Sequence, residues 1–440
     1  MNKFIKICEY ILFSLFLILI PFMKDKLSIL LSIPVLLLIF LANKKLNIKK
    51  FPLFIFVISL IIRIITSIYL KVEIADDFKT MLDASSNLIK GNLSFLNDMY
   101  FKTYSYQLGH VLYQAFFLKI INSVLFLKII NSIITSLIVV FIYLISKRIF
   151  KEETARLISI SYLLYLYPLY LNSVLTNQHL PALLCLIVLY LIIKNKISYK
   201  LSFIIGLLLA VANVFRTESI IFIMGITLYY ITTIKKNNYK TILKNIGIII
   251  ISYLVIFNSI SLVISLTPIK YKLTNNSTYW KFYCGLSYEH NGIYNEEDQN
   301  VYYNSNNQKK LLIDRIKKDK FKFPVLFLKK EVILWTQTNY DLRIKNNTNT
   351  NLFNFIQLFN QGYLNVIILL FVFSLFIIKN NKKELLLFKI LLGLYYGIYM
   401  LIEISPRYAY ILHMLMFIVL GVGIEKLIDL LKRRDKHAKV

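Results

Sequence analysis

Four small polar clusters in an otherwise apolar chain carry groups that could do chemistry. Asp76-Asp77 is an adjacent acidic pair, able to offer one carboxylate as a general base while the other orients it or a substrate. Arg216 with Glu218, and Glu403 with Arg407 around Pro406, set guanidinium groups beside carboxylates. The planar guanidinium fork matches phosphate geometry. Asn177-Gln178-His179 adds amide and imidazole groups. Each cluster also has a plain structural reading. Either Asp could cap a helix over 78–90, the Arg–Glu pairs could be ion pairs at helix junctions, and the Asn-Gln-His run could be a wetted turn. No H-E-x-x-H or paired C-x-x-C spacing appears, so no ligand set compels a metal, although the carboxylates could hold a divalent cation. Neither G-x-x-x-x-G-K nor G-x-G-x-x-G is present, which leaves nucleotide binding unsupported.

The elements that must position these groups are membrane spans. The 440 residues are 57% hydrophobic and only 17% charged, with a mean hydropathy of +0.62. A soluble fold of this size needs far more polar surface. The net charge of +29, from 52 Lys+Arg against 23 Asp+Glu, belongs to short runs between apolar stretches, with no reading motif for nucleic acid. Cys8, Cys185 and Cys284 cannot make a disulfide framework. The apolar run after Lys3 and Lys6 lacks a small-residue cleavage site and reads as a retained span.

Hydropathy places spans at 7–23, 27–42, 52–70, 128–146, 156–172, 180–193, 202–217, 219–234, 245–266, 363–378, 385–402 and 408–430, about twelve in all. With the N-terminus inside, the basic connections at Lys44 to Lys50, Lys147 to Lys151, Lys194 to Lys200, Lys235 to Lys240 and Lys379 to Lys383, with the tail from Lys432, all fall on the cytoplasmic side. Counting 111–127 as a further span inverts that pattern, so it reads as an interfacial helix. The expected fold class is an all-α polytopic membrane protein of the cell membrane, with both termini cytoplasmic. Two N-terminal spans occupy 1–50. A core of 51–266 carries a first outward loop at 71–127, a larger outward loop or small cap fills 267–362, and 363–440 holds the last spans and the basic tail. Asn346 to Asn351 reads as a flexible loop, and 308–335 as an amphipathic run. All four polar clusters emerge on the outward side in this layout.

The order of these features resembles the multi-spanning GT-C glycosyltransferases, in particular the protein O-mannosyltransferase and aminoarabinose-transferase group. The resemblance rests on Asp76-Asp77 a helix's length before Gly91, on Tyr106-Gln107-Leu108-Gly109-His110, and on Tyr167-Pro168 with Leu175 to His179. It continues through Phe215-Arg216-Thr217-Glu218, the pieces Gly285, Gly292 to Asn295 and Lys330 with Trp335, and Glu403 to Tyr408. Thr217 stands where that group usually has proline.

The resemblance implies an inverting transfer of a sugar from a polyprenyl-phosphate donor to an acceptor hydroxyl on a glycan, lipid or protein. It implies Asp76 as the base, by its spacing to Gly91, with Asp77 orienting, and leaves the reverse order open. Arg216, Arg407 and Lys330 would bind the donor phosphate, supported by Gln107, Gln178, His179, Glu218, Glu403 and Tyr408. A polysaccharide polymerase or ligase and a lipid or glycan transporter or flippase are the competing readings.

Overall fold

A computed structural model describes residues 2–45, 48–69, 72–233, 238–338, 350–377 and 382–437. The first helices are α1 (Asn2–Leu17), α2 (Ile29–Lys45), α3 (Phe51–Tyr69), α4 (Asp76–Ile89), α5 (Met99–Thr103), α6 (Leu108–Ile120) and α7 (Val124–Ile149). Then come α8 (Glu152–Leu163), α9 (Tyr167–Ser173), α10 (His179–Lys194), α11 (Tyr199–Phe215), α12 (Ser219–Thr233) and α13 (Tyr239–Leu266). The remainder holds α14 (Trp280–Gly285), α15 (Glu296–Tyr303), α16 (Gln308–Asp319), α17 (Phe323–Thr336), α18 (Thr350–Ile377), α19 (Lys383–Leu401), α20 (Ala409–Val419) and α21 (Gly421–His437). Among the described residues there is no strand, and Ile293 and Ile404 form an isolated parallel bridge.

This is an all-α membrane protein. Eight helical stretches are long and apolar enough to cross a bilayer: Ile5–Phe22, Lys26–Asn43, Phe51–Tyr69, Val124–Ile149, Tyr239–Leu266, Asn354–Ile377, Lys383–Leu401 and Pro406–Arg433. Three more of the expected spans are shorter apolar helices, α10, α11 and α12. The expected span 156–172 is two helices, α8 and α9, with Pro168 opening the second, where its missing N–H costs no helical bond. The stretch 111–127 divides at Ile121 to Ser123 between α6 and α7. At 13 residues, α6 is about 20 Å long, too short to cross a core of about 30 Å. Helix α18 begins at Thr350, well before the expected 363, and takes the end of the large loop with it. Of the loop expected at Asn346 to Asn351, residues 346–349 lie outside the described residues, as do Lys235, Lys236 and Lys379.

Helix α3 packs along α7, which packs on α10; α10 packs on α11 and α11 on α13. Ser59, Arg63 and Ser67, one turn apart on α3, face Ser132, Thr135 and Ser136 of α7. Arg63 is fully buried there, donating to Thr135 Oγ1 at 2.9 Å and to Ser59 Oγ at 2.7 Å. At one end of the bundle several basic connections meet in ion pairs. Lys151 reaches Asp429, Lys432 reaches Glu153 and Lys382 reaches Glu425, while Asn43 donates to Glu153 O.

Candidate functional site

The acidic pair opens α4. Asp76 itself has a left-handed backbone, with φ of 50°, and the N-cap position falls to Ala75, whose methyl group cannot cap. A non-glycine residue held in that region costs on the order of 1–3 kcal/mol and marks a position that its surroundings over-determine. The helix ends one turn early enough for Gly91 to take its own left-handed turn, with Gly91 N–H bonding Leu88 O and Asn92 N–H bonding Asn87 O.

Three cations converge on the ring of Tyr408, at 4.9 Å for Arg216, 5.4 Å for Lys281 and 5.8 Å for Arg407. Each is held by a different carboxylate. Arg407 Nη2 donates to Asp77 Oδ2 at 2.6 Å, Lys281 Nζ to Glu403 Oε2 at 2.6 Å, and Arg216 Nε to Glu218. Lys281 also donates to the Tyr408 hydroxyl at 3.2 Å. Burial would lower the Lys281 pKa, but the Glu403 carboxylate beside it carries it well above the usual lysine value, so the group stays a fixed ammonium. Arg216 Nη1 donates to Asn177 Oδ1 at 3.3 Å, and Asn177 Nδ2 donates to Gln107 Oε1 at 2.9 Å. Gln178 Nε2 holds the Arg407 carbonyl at 2.8 Å. The Arg407 Nε is buried and has no protein partner among the described residues.

The loop that carries Glu403 is tied to the segment that carries Lys281. Glu403 N–H donates to Lys281 O at 2.7 Å and Ile404 N–H to Gly292 O at 2.9 Å. A Cβ on Gly285 would stand 2.2 Å from the Ile402 carbonyl carbon, an approach only glycine allows. Gly285→Ala therefore lowers stability by about 1–3 kcal/mol and loosens the Lys281–Glu403 pair, whereas Gly247→Ala, with open space around it, does not. Thermal unfolding of both variants in detergent checks this; equal melting temperatures would show that the approach is not constraining.

These groups line one cavity of about 950 Å³. Asp76, Asp77, Gln107, Arg216, Glu218, Glu403, Arg407 and Tyr408 all face it, with Asn177 and Lys281. Aromatic side chains including Tyr100, Tyr106, Tyr167, Tyr294 and Trp280 fill much of the remaining wall. Six carboxylates (Glu73, Asp76, Asp77, Glu218, Glu296 and Glu403) face three cations, so the chain's basic excess does not reach this surface. Among the described residues, no three His, Cys, Asp or Glu side chains gather as metal ligands.

Three expected site residues do not line the cavity. Gln178 works from behind through the Arg407 carbonyl, and His179 is buried with Nδ1 at 2.8 Å from the Tyr410 hydroxyl. Lys330 is also fully buried, and its Nζ donates to the carbonyls of Gly285, Met400 and Ile402 at 2.7, 2.8 and 2.8 Å. All three donors are spent on backbone, so Lys330 is a tie beneath the cavity and not a phosphate ligand. Lys330→Met strands three carbonyls and costs about 3 kcal/mol or more of stability. An unchanged melting temperature in that variant would return Lys330 to the site.

Lys281 is the group that sequence reasoning missed. Its one sequence signal is a lone cation inside Tyr279-Trp280-Lys281-Phe282-Tyr283, and its partner Glu403 lies far along the chain. No known protein-family model matches this chain, and no protein of curated function matches it.

Proposed function

We propose that the chain is an integral membrane glycosyltransferase of GT-C type, moving a sugar from a polyprenyl-phosphate donor to an acceptor hydroxyl. The observation that carries this reading is the single cavity in which an acidic pair on a strained helix start faces three cations grouped on one tyrosine ring.

Asp76 takes the proton of the acceptor hydroxyl as that oxygen attacks the anomeric carbon. The bond from the anomeric carbon to the phosphate oxygen breaks, and its electron pair stays on the leaving polyprenyl phosphate, with inversion at the sugar. Arg407, Arg216 and Lys281 stabilise the charge that grows on that phosphate. Their carboxylate partners hold them in place before the donor arrives. Arg407 lines the cavity while its Nη2 binds Asp77.

On a reading of about twelve spans, with the shorter helices α10 to α12 counted beside the eight long ones, the basic connections argue for a cytoplasmic side that holds both termini and an outward side that holds the cavity. The ion-paired meeting of the Lys147–Lys151 and Lys382 connections with α21 supports a common cytoplasmic end. The donor lipid reaches the cavity from the membrane, and the acceptor is a glycan, lipid or protein.

The test uses membrane vesicles that contain the chain, given radiolabelled polyprenyl-phosphate sugars. Transfer of label out of the lipid fraction by the wild type, but not by an equally abundant Asp76→Asn/Asp77→Asn variant, supports the reading. Equal transfer by both overturns the role of the acidic pair.

A further inference from the structure

The amphipathic run across 308–335 takes no part in the cavity chemistry, and its surface is unusual. It folds as α16 and α17 joined by a tight turn at Lys320 to Lys322. At that turn Phe321 is 86% exposed; Val325 on α17 and Ile313 and Ile316 on α16 are exposed as well. Seven lysines between 309 and 329 are exposed, against only Asp314 and Asp319 among the carboxylates of that stretch. Asp319 is buried and bonded to Lys322 at 2.9 Å, and Lys318 lies 3.8 Å from Glu289. Lys320 folds its ammonium over the Phe321 ring at 5.0 Å.

The turn stands close to the membrane surface. Lys330 is bonded to the carbonyls of Met400 and Ile402, where α19 ends, and Trp335 packs edge-on against Phe16 of α1. The C-terminal half of α17 therefore enters the layer of spans. Phe323 is seven residues before Lys330, about 10 Å along the helix, which is comparable with the depth of the headgroup region, roughly 5–8 Å on each side.

We infer that this turn is an interfacial foot. It rests on anionic phospholipid headgroups of the membrane that the chain spans, with Phe321 and Val325 within the headgroup layer, turned toward the acyl chains, and the lysines among the headgroups. An apolar tip ringed by long basic side chains matches that layer, since lysine stems can lie along the acyl region while their charges stay with phosphate. A water-facing acidic partner would leave the phenyl ring without a reason.

The test places a reporter at the tip. Trp280 and Trp335 are the two tryptophans of the chain and both are buried, so the added signal in full-length Phe321→Trp is read by difference from the parent protein. The protein is reconstituted into vesicles of phosphatidylcholine alone, or of equal phosphatidylcholine and phosphatidylglycerol, with brominated acyl chains as quencher. Quenching about threefold stronger in the anionic vesicles is expected, falling to the neutral level when Lys317→Glu and Lys320→Glu are added. Unquenched fluorescence that remains open to aqueous acrylamide overturns the foot. Quenching that is the same in both vesicles, and indifferent to the lysine changes, overturns its preference for anionic lipid.

Discussion

On the proposed transferase reading, Asp76→Asn in the full-length chain is expected to lower transfer of label from a polyprenyl-phosphate sugar by about 10²–10⁴-fold, the loss that follows removal of a positioned base. The N-cap of α4 belongs to Ala75, so the variant leaves the cap itself intact, and its membrane abundance is measured beside the wild type. Asp77→Asn has a different signature. Asp77 is bonded to Arg407, so the amide disturbs the cation that faces the donor, and both KM and turnover change. The two variants separate the roles of two adjacent residues that have the same side chain. Loss confined to Asp77→Asn, with Asp76→Asn near wild type, reverses the assignment. The left-handed backbone at Asp76 gives a further handle: Asp76→Gly relieves the strain while removing the carboxylate, so a stabilised but inactive protein is expected.

The spans and the span-end clusters were legible because hydropathy and basic connections act locally along the chain. Asp76, Arg216, Glu403 and Arg407 each sit where an apolar stretch breaks, and one cavity joins them. The interruptions within spans were harder to see. The break between α8 and α9 depends on three residues before Pro168 that are as apolar as their neighbours, and hydropathy averages over them. Helix α18 starts among asparagines and threonines, where composition signals a loop; its first turns are helical because they continue into the long apolar run that follows.

Lys330 and Lys281 show the limit for side-chain roles. Both lie in the same long segment, and sequence alone cannot tell a lysine whose donors all face backbone from one that faces a cavity. What separates them is where the end of α19 comes to lie: its carbonyls take Lys330, and Glu403, just beyond it, takes Lys281. Arg63 was illegible for a related reason. A single cation in Ile61-Ile62-Arg63-Ile64-Ile65 barely alters hydropathy, and the hydroxyls that accept its hydrogen bonds look like ordinary small residues of α3 and α7.

Arg407→Gln is expected to lower turnover by on the order of 10²–10³, the range for removing a donor aimed at developing charge. Arg407→Lys does not rescue it. A planar guanidinium can hold Asp77 through Nη2 and still turn another N–H of its fork toward a phosphate, whereas a compact ammonium on a shorter reach cannot do both at that geometry. The double variant Asp77→Asn/Arg407→Gln then distinguishes a working unit from two independent residues. If Asp77 acts on the donor mainly by placing Arg407, the double variant is little worse than Arg407→Gln alone; independent roles would multiply the two losses. Competition by free polyprenyl phosphate, the proposed leaving group, provides a reading that does not depend on the acceptor. Its affinity falls with Arg407→Gln and is unchanged by Asp76→Asn, since the base does not touch the phosphate. Wild-type turnover and unchanged competition in Arg407→Gln would remove Arg407 from the donor site and leave Arg216 and Lys281, the two other cations on the Tyr408 ring, to carry the leaving group.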